Sequence, residues 1–428
     1  MNMSKNQELI ARRQRLLGPN ARLFYDDPVH LVSGKGAWVI DDEGKTYLDC
    51  YNNVPHVGHC HPHVVEAICR QAATLNTHTR YLHEEILRYA ERLVATFKGG
   101  MTSAIMVCTG SEANDIALRM AQAVTGKTGI IATNHTYHGN TSAVSQLSTT
   151  KPPIGGFGKH VRHVSAPDSY RPEGEDMQAY SAHFTREVEA ACRSLEEAGI
   201  GVSGMIICPA FVNEGFPDLP AGFLDGACAA VRKAGGVIIA DEVQPGFGRL
   251  GSHFWGHQKA GFKPDIVTMG KPMGNGHPVA AVVTSAEIIA AFRNSFSYFN
   301  TFGGNPVSCA AANAVLDVLE REGLQARALE TGEALKAGLR DLAQKHAAIG
   351  DVRGSGLAIG IELVSERNTK TPDRAAAEKV VNLLRHNGVL IGANGIHYNV
   401  LKIRPPLAFS KAEAGILLGK LDEALQSL

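Results

Sequence analysis

The chain has 428 residues, of which 44% are hydrophobic and 20% charged, and its 42 basic and 42 acidic side chains give a net charge of zero. This composition is typical of a globular protein with two or three domains, and the charge gives no indication of a nucleic-acid or membrane partner. The eight cysteines include no CxxC pair, which disfavours a disulfide framework and a thiolate metal site. Residues 1–8 lack the apolar core of a signal peptide, and no apolar run approaches about 18 residues, so we expect a cytoplasmic protein.

The N-terminal segment predicts a helix, a hairpin and a loop, in that order. The helix runs from Gln7 to Leu17, and the hairpin from Val32 to Leu48 turns at Asp41-Asp42-Glu43-Gly44. A loop rich in polar and turn residues follows from Asp49 to Pro62. From Pro62 the apolar residues recur with helical spacing, which predicts two helices up to Phe97.

Four histidines lie close together in and after this loop: His56, His59, His61 and His63. They raise the alternative of a metal hydrolase built on the loop. No acidic or cysteine partners stand at zinc-like spacing, so we predict no metal site here.

The middle of the chain alternates short apolar runs with helical stretches. The runs are Ala104–Cys108, Gly129–Ala132, Gly204–Cys208, Val237–Ala240, Ile266–Met269 and Val279–Thr284. This alternation predicts a mainly parallel sheet covered by helices. Polar residues 151–181 predict a long surface loop.

The C-terminal segment predicts three helices and one strand. Two helices run from Ser308 to Leu319 and from Gln325 to Lys345, and a strand interrupted by glycines runs from Val352 to Val364. The last helix starts at a capping box made by Ser410 and Glu413.

Two polar residues follow two of the apolar runs. The run ending at Met269 leads to Lys271 in a glycine-rich turn, and the run from Val237 ends at Asp241. Because ligands of open α/β sheets bind at the carboxyl ends of the strands, we expect both side chains in one site. Chemistry that uses pyridoxal 5'-phosphate requires this pair of residue types. The lysine forms a Schiff base with the cofactor, and the acid keeps the pyridine nitrogen protonated. A catalytically silent cofactor binder is an alternative, which the presence of both residues disfavours.

From about Leu31 to the C-terminus, the chain resembles the class III pyridoxal-phosphate-dependent aminotransferases of fold type I. The resemblance implies an α/β fold with a mainly parallel, seven-stranded sheet in a large domain, residues 61–308. It also implies a smaller α+β domain built from the N-terminal segment, residues 1–60, and the C-terminal segment, residues 309–428.

The resemblance also assigns the residues that hold the cofactor. Gly110 and Ser111 match the motif that binds the cofactor phosphate at a strand-to-helix turn, although by itself Ser111 could simply cap that helix. Tyr137, followed by His138, matches the Tyr-His-Gly motif whose aromatic ring stacks on the pyridine. Gln244 would hydrogen-bond the phenolic oxygen of the cofactor.

A further segment, Phe299–Pro306, implies a homodimer. In the family its threonine, here Thr301, reaches the cofactor phosphate of the neighbouring subunit. We therefore expect two shared active sites with Thr301 acting in trans.

Within the family, four strings resemble the ethanolamine-phosphate and phosphohydroxylysine phospho-lyases. They are Asn52–Pro62, Val243–Arg249, Met269–Val279 and Asn399–Pro406. This resemblance implies elimination of phosphate from an O-phosphorylated amino alcohol, with O-phosphoethanolamine giving acetaldehyde, ammonia and phosphate. The alternative is an ω-aminotransferase that passes a terminal amine to pyruvate or 2-oxoglutarate.

One string departs from the aminotransferase pattern. Aminotransferases of the class usually carry a glutamate in Glu-Pro-x-Gln-Gly, whereas this chain has Cys208-Pro209-Ala210-Phe211-Val212-Asn213-Glu214. The loss of that acid fits poorly with handling both an amine donor and a 2-oxo acid.

A substrate phosphate needs cations and hydrogen-bond donors. The candidate cations are Arg80, Lys402 and Arg404. The candidate neutral residues are Tyr51, Asn53 and His56. Arg404 does not discriminate between the two reactions, because an arginine near a Pro-Pro pair commonly holds a substrate carboxylate in aminotransferases of the class.

Overall fold

A computed structural model describes residues 5–428. Residues 1–4, part of the segment where we expect no signal peptide, lie outside the described residues. The first part contains α1 (Lys5–Leu17), β1 (Leu31–Lys35), β2 (Trp38–Asp41), β3 (Thr46–Asp49), α2 (Pro62–Thr74) and α3 (Glu84–Ala95). The middle part contains β4 (Ser103–Val107), α4 (Gly110–Thr125), β5 (Gly129–Thr133), a 3-10 turn (Val144–Leu147), β6 (Val161–Val164), α5 (Met177–Glu197), β7 (Val202–Ile207), α6 (Asp225–Lys233), β8 (Val237–Asp241), α7 (Gly256–Ala260), β9 (Ile266–Met269), β10 (Ala280–Thr284) and α8 (Ala286–Ser295). The last part contains α9 (Pro306–Arg321), α10 (Leu324–Lys345), β11 (Ile349–Ser355), β12 (Ala358–Glu366), β13 (Thr371–Pro372), α11 (Arg374–His386), β14 (Val389–Leu390), β15 (Gly392–Asn394), β16 (Val400–Ile403) and α12 (Lys411–Gln426).

The largest sheet has seven strands in the order β4-β10-β9-β8-β7-β5-β6. All of them run parallel except β10, which is antiparallel to both of its neighbours. Both faces are buried: Ile206 packs in the apolar cluster on the α4 side, whereas Ile207 packs in the cluster on the other side. Such strands appear in the sequence as continuous apolar runs. The predicted mainly parallel, seven-stranded sheet is confirmed.

Two smaller sheets join distant parts of the chain. One has the order β1-β2-β3-β14, and β14 runs parallel to β3 with Val389 opposite Leu48. The other has the order β11-β12-β16-β15, with β13 paired to β12. The N- and C-terminal segments therefore form the expected α+β part together, while the limits 1–60, 61–308 and 309–428 stay predictions.

The structure differs from the sequence-based expectation at several places. Between Thr371 and Ile403 it contains β13, α11, β14, β15 and β16, for which no element is predicted. The predicted surface loop, residues 151–181, contains the edge strand β6, in which only Val161 and Val164 are buried, and the start of α5. The predicted single strand Val352–Val364 is wrong, because the chain turns back between β11 and β12. Gly354 and Gly356 have φ angles of 108° and 54°, which only glycine adopts readily.

Other local predictions hold. Ser410 caps α12 in a capping box with Glu413. Within residues 5–428, no helix has both the length and the apolar character needed to cross a membrane.

Candidate active site

Asp241 and Lys271 lie at the same edge of the seven-stranded sheet. Asp241 ends β8, directly opposite Thr268 on the parallel neighbour β9, and Lys271 follows β9 by two residues. Both line one cavity with an empty volume of about 520 Å³, part of which is open solvent. The other lining residues include Gly110, Ser111, Tyr137, His138, Cys208 and Gln244.

The Asp241 carboxylate is held by a complete set of donors. Its Oδ1 accepts from the Val243 backbone N–H at 3.0 Å, and its Oδ2 accepts from Asn114 Nδ2 at 3.0 Å. His138 Nδ1 lies 2.6 Å from the same Oδ2. Thr268 in turn donates to Asn114 Oδ1 at 2.6 Å. These bonds fix the orientation of the carboxylate at the cavity.

Among the residues that line this cavity, Lys271 is the one that carries an amine. The amine makes no hydrogen bond or ion pair to any residue that the structure describes. Burial, followed by the charge of Arg404, lowers the pKa of Lys271, and Asp241 opposes this in part. A lysine with a lowered pKa holds more of its neutral amine, which is the form that acts as nucleophile or base.

Ser111 does not cap α4. Thr109 is the N-cap residue: its side chain accepts from Glu112 N–H at 3.1 Å, and Glu112 closes the capping box. The Ser111 hydroxyl instead accepts from the Asn140 backbone N–H at 3.2 Å. Because the first N–H groups of a helix have no acceptor within it, Gly110 and Ser111 offer an anion site at the cavity wall.

Close packing around this turn requires glycine at position 139. A Cβ on Gly139 would come within 2.6 Å of the Ser111 hydroxyl, and the φ angle of Gly139 is 147°. The turn after Tyr137 and His138 thus lies directly against the start of α4. The Tyr137 ring lines the cavity and is 51% exposed, so a ring-shaped ligand can stack on it.

Three cations lie buried beside this cavity: Arg249, Lys402 and Arg404 are 1%, 4% and 5% exposed. We call them the basic cluster. None of the three forms an ion pair with a carboxylate among the described residues. Lys402 Nζ has one partner, Asn213 Oδ1 at 3.4 Å. Burial and the charges of Arg404 and Lys271 hold the pKa of Lys402 well below its usual range.

Arg404 connects the basic cluster to the cofactor residues. Its guanidinium donates to Gln244 Oε1 and lies over the Tyr51 ring at 5.0 Å, while its Nε has no partner. Burial lowers the pKa of Arg404. A buried charge without a counter-ion is costly, so the cluster is suited to binding an anion.

Arg249 is held by neutral groups. It donates to the carbonyl oxygens of Leu357 and Pro405 and to His56 Nδ1, and burial together with Arg404 lowers its pKa to about 9. His56 Nε2 is 2.8 Å from the Phe247 carbonyl oxygen. Both ring nitrogens of His56 are thereby engaged inside the protein, so this predicted substrate residue supports Arg249. Asn53 is buried, and its Nδ2 has no partner among the described residues.

Arg80 and Thr301 lie outside this cavity. Both are exposed, and the Arg80 guanidinium lies 4.0 Å from the centre of the Phe299 ring. Tyr81, Leu82 and Phe302 are exposed in the same two segments. The structure therefore does not bring Arg80 to Lys402 and Arg404 within one chain.

The remaining histidines of the N-terminal loop have separate partners. His59 lies 2.8 Å from Asp49, His61 lies 2.9 Å from Glu322, and His63 lies 2.9 Å from Asp317. Among residues 5–428, no group of three or more His, Cys, Asp or Glu side chains is arranged to hold a metal ion.

Sequence reasoning missed several site residues. Asn114, Arg249 and Asn213 carry no local sequence signal that points to a role in this site. Their roles depend on contacts between distant segments, such as Arg249 with Pro405, which no local pattern reveals. The one signal in the sequence for this part of the site is the Cys208–Glu214 string, which departs from the aminotransferase motif. The structure places its first residue, Cys208, in the lining of the cavity.

Comparisons with known proteins support one family over nearly the whole chain. The family model described as "Aminotransferase class-III" matches residues 25–425. A Drosophila melanogaster protein named alanine–glyoxylate aminotransferase 2-like is 42% identical over 442 residues, covering 100% of this chain and 88% of the relative. The Caenorhabditis elegans protein named ethanolamine-phosphate phospho-lyase homolog 1 is 38% identical over 441 residues, covering 99% and 94%. A solved structure of a phospholyase from Arthrobacter in complex with phosphoethanolamine matches with a TM-score of 0.95 and 45% identity, covering 98% of this chain and 100% of that chain.

Proposed function

The chain belongs to the class-III aminotransferase family of pyridoxal-phosphate-dependent enzymes, and on this basis we propose that it is a phospho-lyase. Its proposed substrate is O-phosphoethanolamine, which with one water gives acetaldehyde, ammonia and phosphate. The names of the Caenorhabditis elegans and Arthrobacter relatives support this substrate class.

The cavity residues fit the cofactor. Lys271 offers an amine without a partner, Asp241 offers a fixed carboxylate, and the α4 N-terminus at Gly110 and Ser111 suits a phosphate. When bound, pyridoxal phosphate supplies an electron sink for the carbon that carries the substrate nitrogen. Asp241 would hold the proton on the pyridine nitrogen, and Tyr137 would stack on the ring.

The observation that carries the proposal is that Lys402 and Arg404 are two buried basic side chains without an ion pair among the described residues. Both are almost fully buried beside Lys271, and neither has a carboxylate partner among the described residues. Arginine alone suffices for a carboxylate, whereas the dianionic phosphate group gains from a second cation. Cys208, a neutral thiol whose pKa burial raises well above its usual value, leaves these charges unneutralised.

The protein's own groups then account for the two bonds that break. The neutral amine of Lys271 is the base that takes the proton from the carbon bearing nitrogen. The bond between the adjacent carbon and the phosphate oxygen breaks, and the phosphate leaves with the electron pair toward Lys402 and Arg404. Water afterwards releases ammonia and acetaldehyde.

We further propose a homodimer with shared sites. Thr301 lies on an exposed surface together with Arg80, Tyr81, Leu82 and Phe302. Large apolar side chains grouped on a surface are typical of an interface. A second copy covering this surface would bring Thr301, and Arg80 with it, to the partner's cavity.

The test of the reaction is to incubate the holoenzyme with O-phosphoethanolamine in the absence of any 2-oxo acid. Equal amounts of phosphate and acetaldehyde are expected. Absence of both products would refute the phospho-lyase proposal.

The alternative function is an aminotransferase. The Drosophila melanogaster relative carries that activity in its name, and Arg404 could hold a substrate carboxylate. This alternative requires amino transfer that starts only when pyruvate or 2-oxoglutarate is added.

The expected cytoplasmic location also stays a prediction, since the human and Arabidopsis thaliana relatives are named as mitochondrial.

A further inference from the structure

Glu214 is a buried acid beside the cofactor site that the proposed reaction does not use. It is 4% exposed and lies in the turn that follows β7. Its Oε1 accepts from the Thr133 hydroxyl at 3.0 Å. Its Oε2 is buried and has no hydrogen-bond partner among the described residues.

Two threonine hydroxyl groups hydrogen-bond the Glu214 carboxyl, and one of them, Thr136, also reaches the His138 ring. Thr133 ends β5, and three residues later Thr136 places its hydroxyl 3.1 Å from His138 Nε2. The opposite ring nitrogen, Nδ1, lies 2.6 Å from Asp241 Oδ2. A path of polar groups therefore runs from Glu214 through Thr136 and His138 to the carboxylate that faces the cofactor.

We propose that Glu214 is a positioning residue that acts through Thr136 and His138 on Asp241. Thr136 hydrogen-bonds both the buried Glu214 carboxyl and His138 Nε2, so Glu214 fixes the Thr136 hydroxyl and, through it, the imidazole that holds Asp241 Oδ2. The orientation and the electrostatic surroundings of the carboxylate that faces the cofactor therefore depend on Glu214.

The groups of this path also act on the pKa of Glu214. Burial raises the pKa of Glu214, while its own backbone N–H, the charge of His138 and the hydroxyl groups of Thr133 and Thr136 lower it in part. Cys208 and Lys402 are the other titratable groups that face it.

The turn does not need the Glu214 side chain to hold its shape. The Asn213 carbonyl oxygen accepts from the Gly395 N–H at 3.1 Å, and the Gly215 carbonyl oxygen accepts from Arg353 Nε at 2.7 Å. Both neighbours are thus fixed through the backbone. Glu214 would have its role in either reaction, lyase or aminotransferase, because it depends on the cofactor site alone.

The test compares Glu214→Gln with Asp218→Asn in the absence of substrate. Asp218 is a matched control: it is an acid of the same segment whose pKa burial also raises, and it accepts the Gly354 N–H at 3.1 Å away from the cavity of Lys271. The readouts are the dissociation constant of pyridoxal phosphate and the pH titration of the visible absorbance of the bound cofactor.

Glu214→Gln is expected to weaken cofactor binding by about threefold to tenfold and to move the midpoint of the titration by about half a pH unit or more. Asp218→Asn is expected to leave both readouts unchanged. Wild-type values of both readouts in Glu214→Gln would overturn the proposal.

Thr136→Val removes a hydroxyl group from the same path. It tests the proposal in place of Glu214→Gln if that variant does not fold. It is expected to move the titration midpoint in the same direction. The double variant is expected to move it no further than either single variant, because residues of one network act non-additively. Additive shifts, or no shift in Thr136→Val, would also overturn the proposal.

Discussion

Lys402 and Arg404 are neighbouring buried cations, two residues apart at the end of β16 and without a carboxylate partner among the described residues. In β16, Lys402 lies opposite Gly360 of β12 on one side and Gly392 of β15 on the other. Neither neighbour has a side chain that could neutralise it. The fold thus keeps two basic side chains next to Lys271, and an anionic substrate group can bind them and favour their charged forms.

Replacing Lys402 with methionine removes one of these charges at similar volume. A charge-assisted hydrogen bond contributes about 1.5–3 kcal/mol, so the KM for O-phosphoethanolamine is expected to rise by about tenfold to a hundredfold. Steady-state phosphate release measures this. Lys336→Met is the control, since Lys336 is equally buried but is paired with Glu333 and the Gly354 carbonyl oxygen. An unchanged KM in Lys402→Met would mean that Lys402 does not contact the phosphate.

The same substitution is expected to stabilise the apoprotein. Lys402 has a lowered pKa in the folded state, so below that pKa the buried charge is fully destabilising. As the pH rises from there toward about 10.4, the unfolded chain binds more protons than the folded one, and the wild-type free energy of unfolding increases.

Without the amine, the free energy of unfolding of Lys402→Met does not show this increase with pH. Its gain in the free energy of unfolding, about 1–4 kcal/mol, is therefore largest at low pH and shrinks as the pH increases. Urea unfolding of both apoproteins at several pH values measures the difference. A variant less stable than the wild type throughout would show that the amine forms stabilising bonds even without substrate.

Cys208→Glu is expected to impair phosphate binding. Cys208 lies close enough to Lys271, Lys402 and Arg404 for a charge at this position to act on all three, so a carboxylate here would neutralise part of their charge. The KM for O-phosphoethanolamine should rise at least about tenfold, whereas Cys208→Ser, which stays neutral, should remain within about threefold of the wild type. Equal KM values for the Glu and Ser variants would speak against charge as the cause.

Hybrid dimers test whether Thr301 acts in trans. A Lys271→Ala chain lacks the proposed Schiff-base amine, and a Thr301→Ala chain lacks the phosphate contact that it would give its partner. When the two are unfolded, mixed in equal amounts and refolded, about half of the dimers are hybrids, and in each hybrid one of the two sites combines an intact Lys271 with an intact Thr301.

About a quarter of the wild-type activity is therefore expected at cofactor concentrations where Thr301→Ala alone is inactive. If Thr301 acted within its own chain, no hybrid site would be intact and no activity would return. Refolding each variant alone is the control.

The large sheet could be predicted from the sequence because its strands are buried on both faces. Runs such as Ile266–Met269 are apolar without interruption, and the position of Lys271 after the run follows from strand length alone. The short edge strand β6 could not be recognised, since its Arg162 and His163 are half-buried and interrupt the apolar pattern.

The basic cluster was only partly predictable. Lys402 and Arg404 stood out as cations near a Pro-Pro pair, but their lack of partners is a property of the tertiary structure. Arg249 is buried by segments that lie 108 and 156 residues further along the chain. The Glu214 path likewise joins three separate segments of the chain, and sequence spacing carries no information about such contacts.

The most direct test of the central proposal counts phosphate released per active site when the holoenzyme has O-phosphoethanolamine and no amino acceptor. A phospho-lyase regenerates its cofactor in each cycle, so we predict many phosphates per site with matching acetaldehyde and ammonia. An aminotransferase stops after one amine is transferred to each cofactor. Release of no phosphate, together with turnover that begins only when pyruvate or 2-oxoglutarate is added, would contradict the proposal.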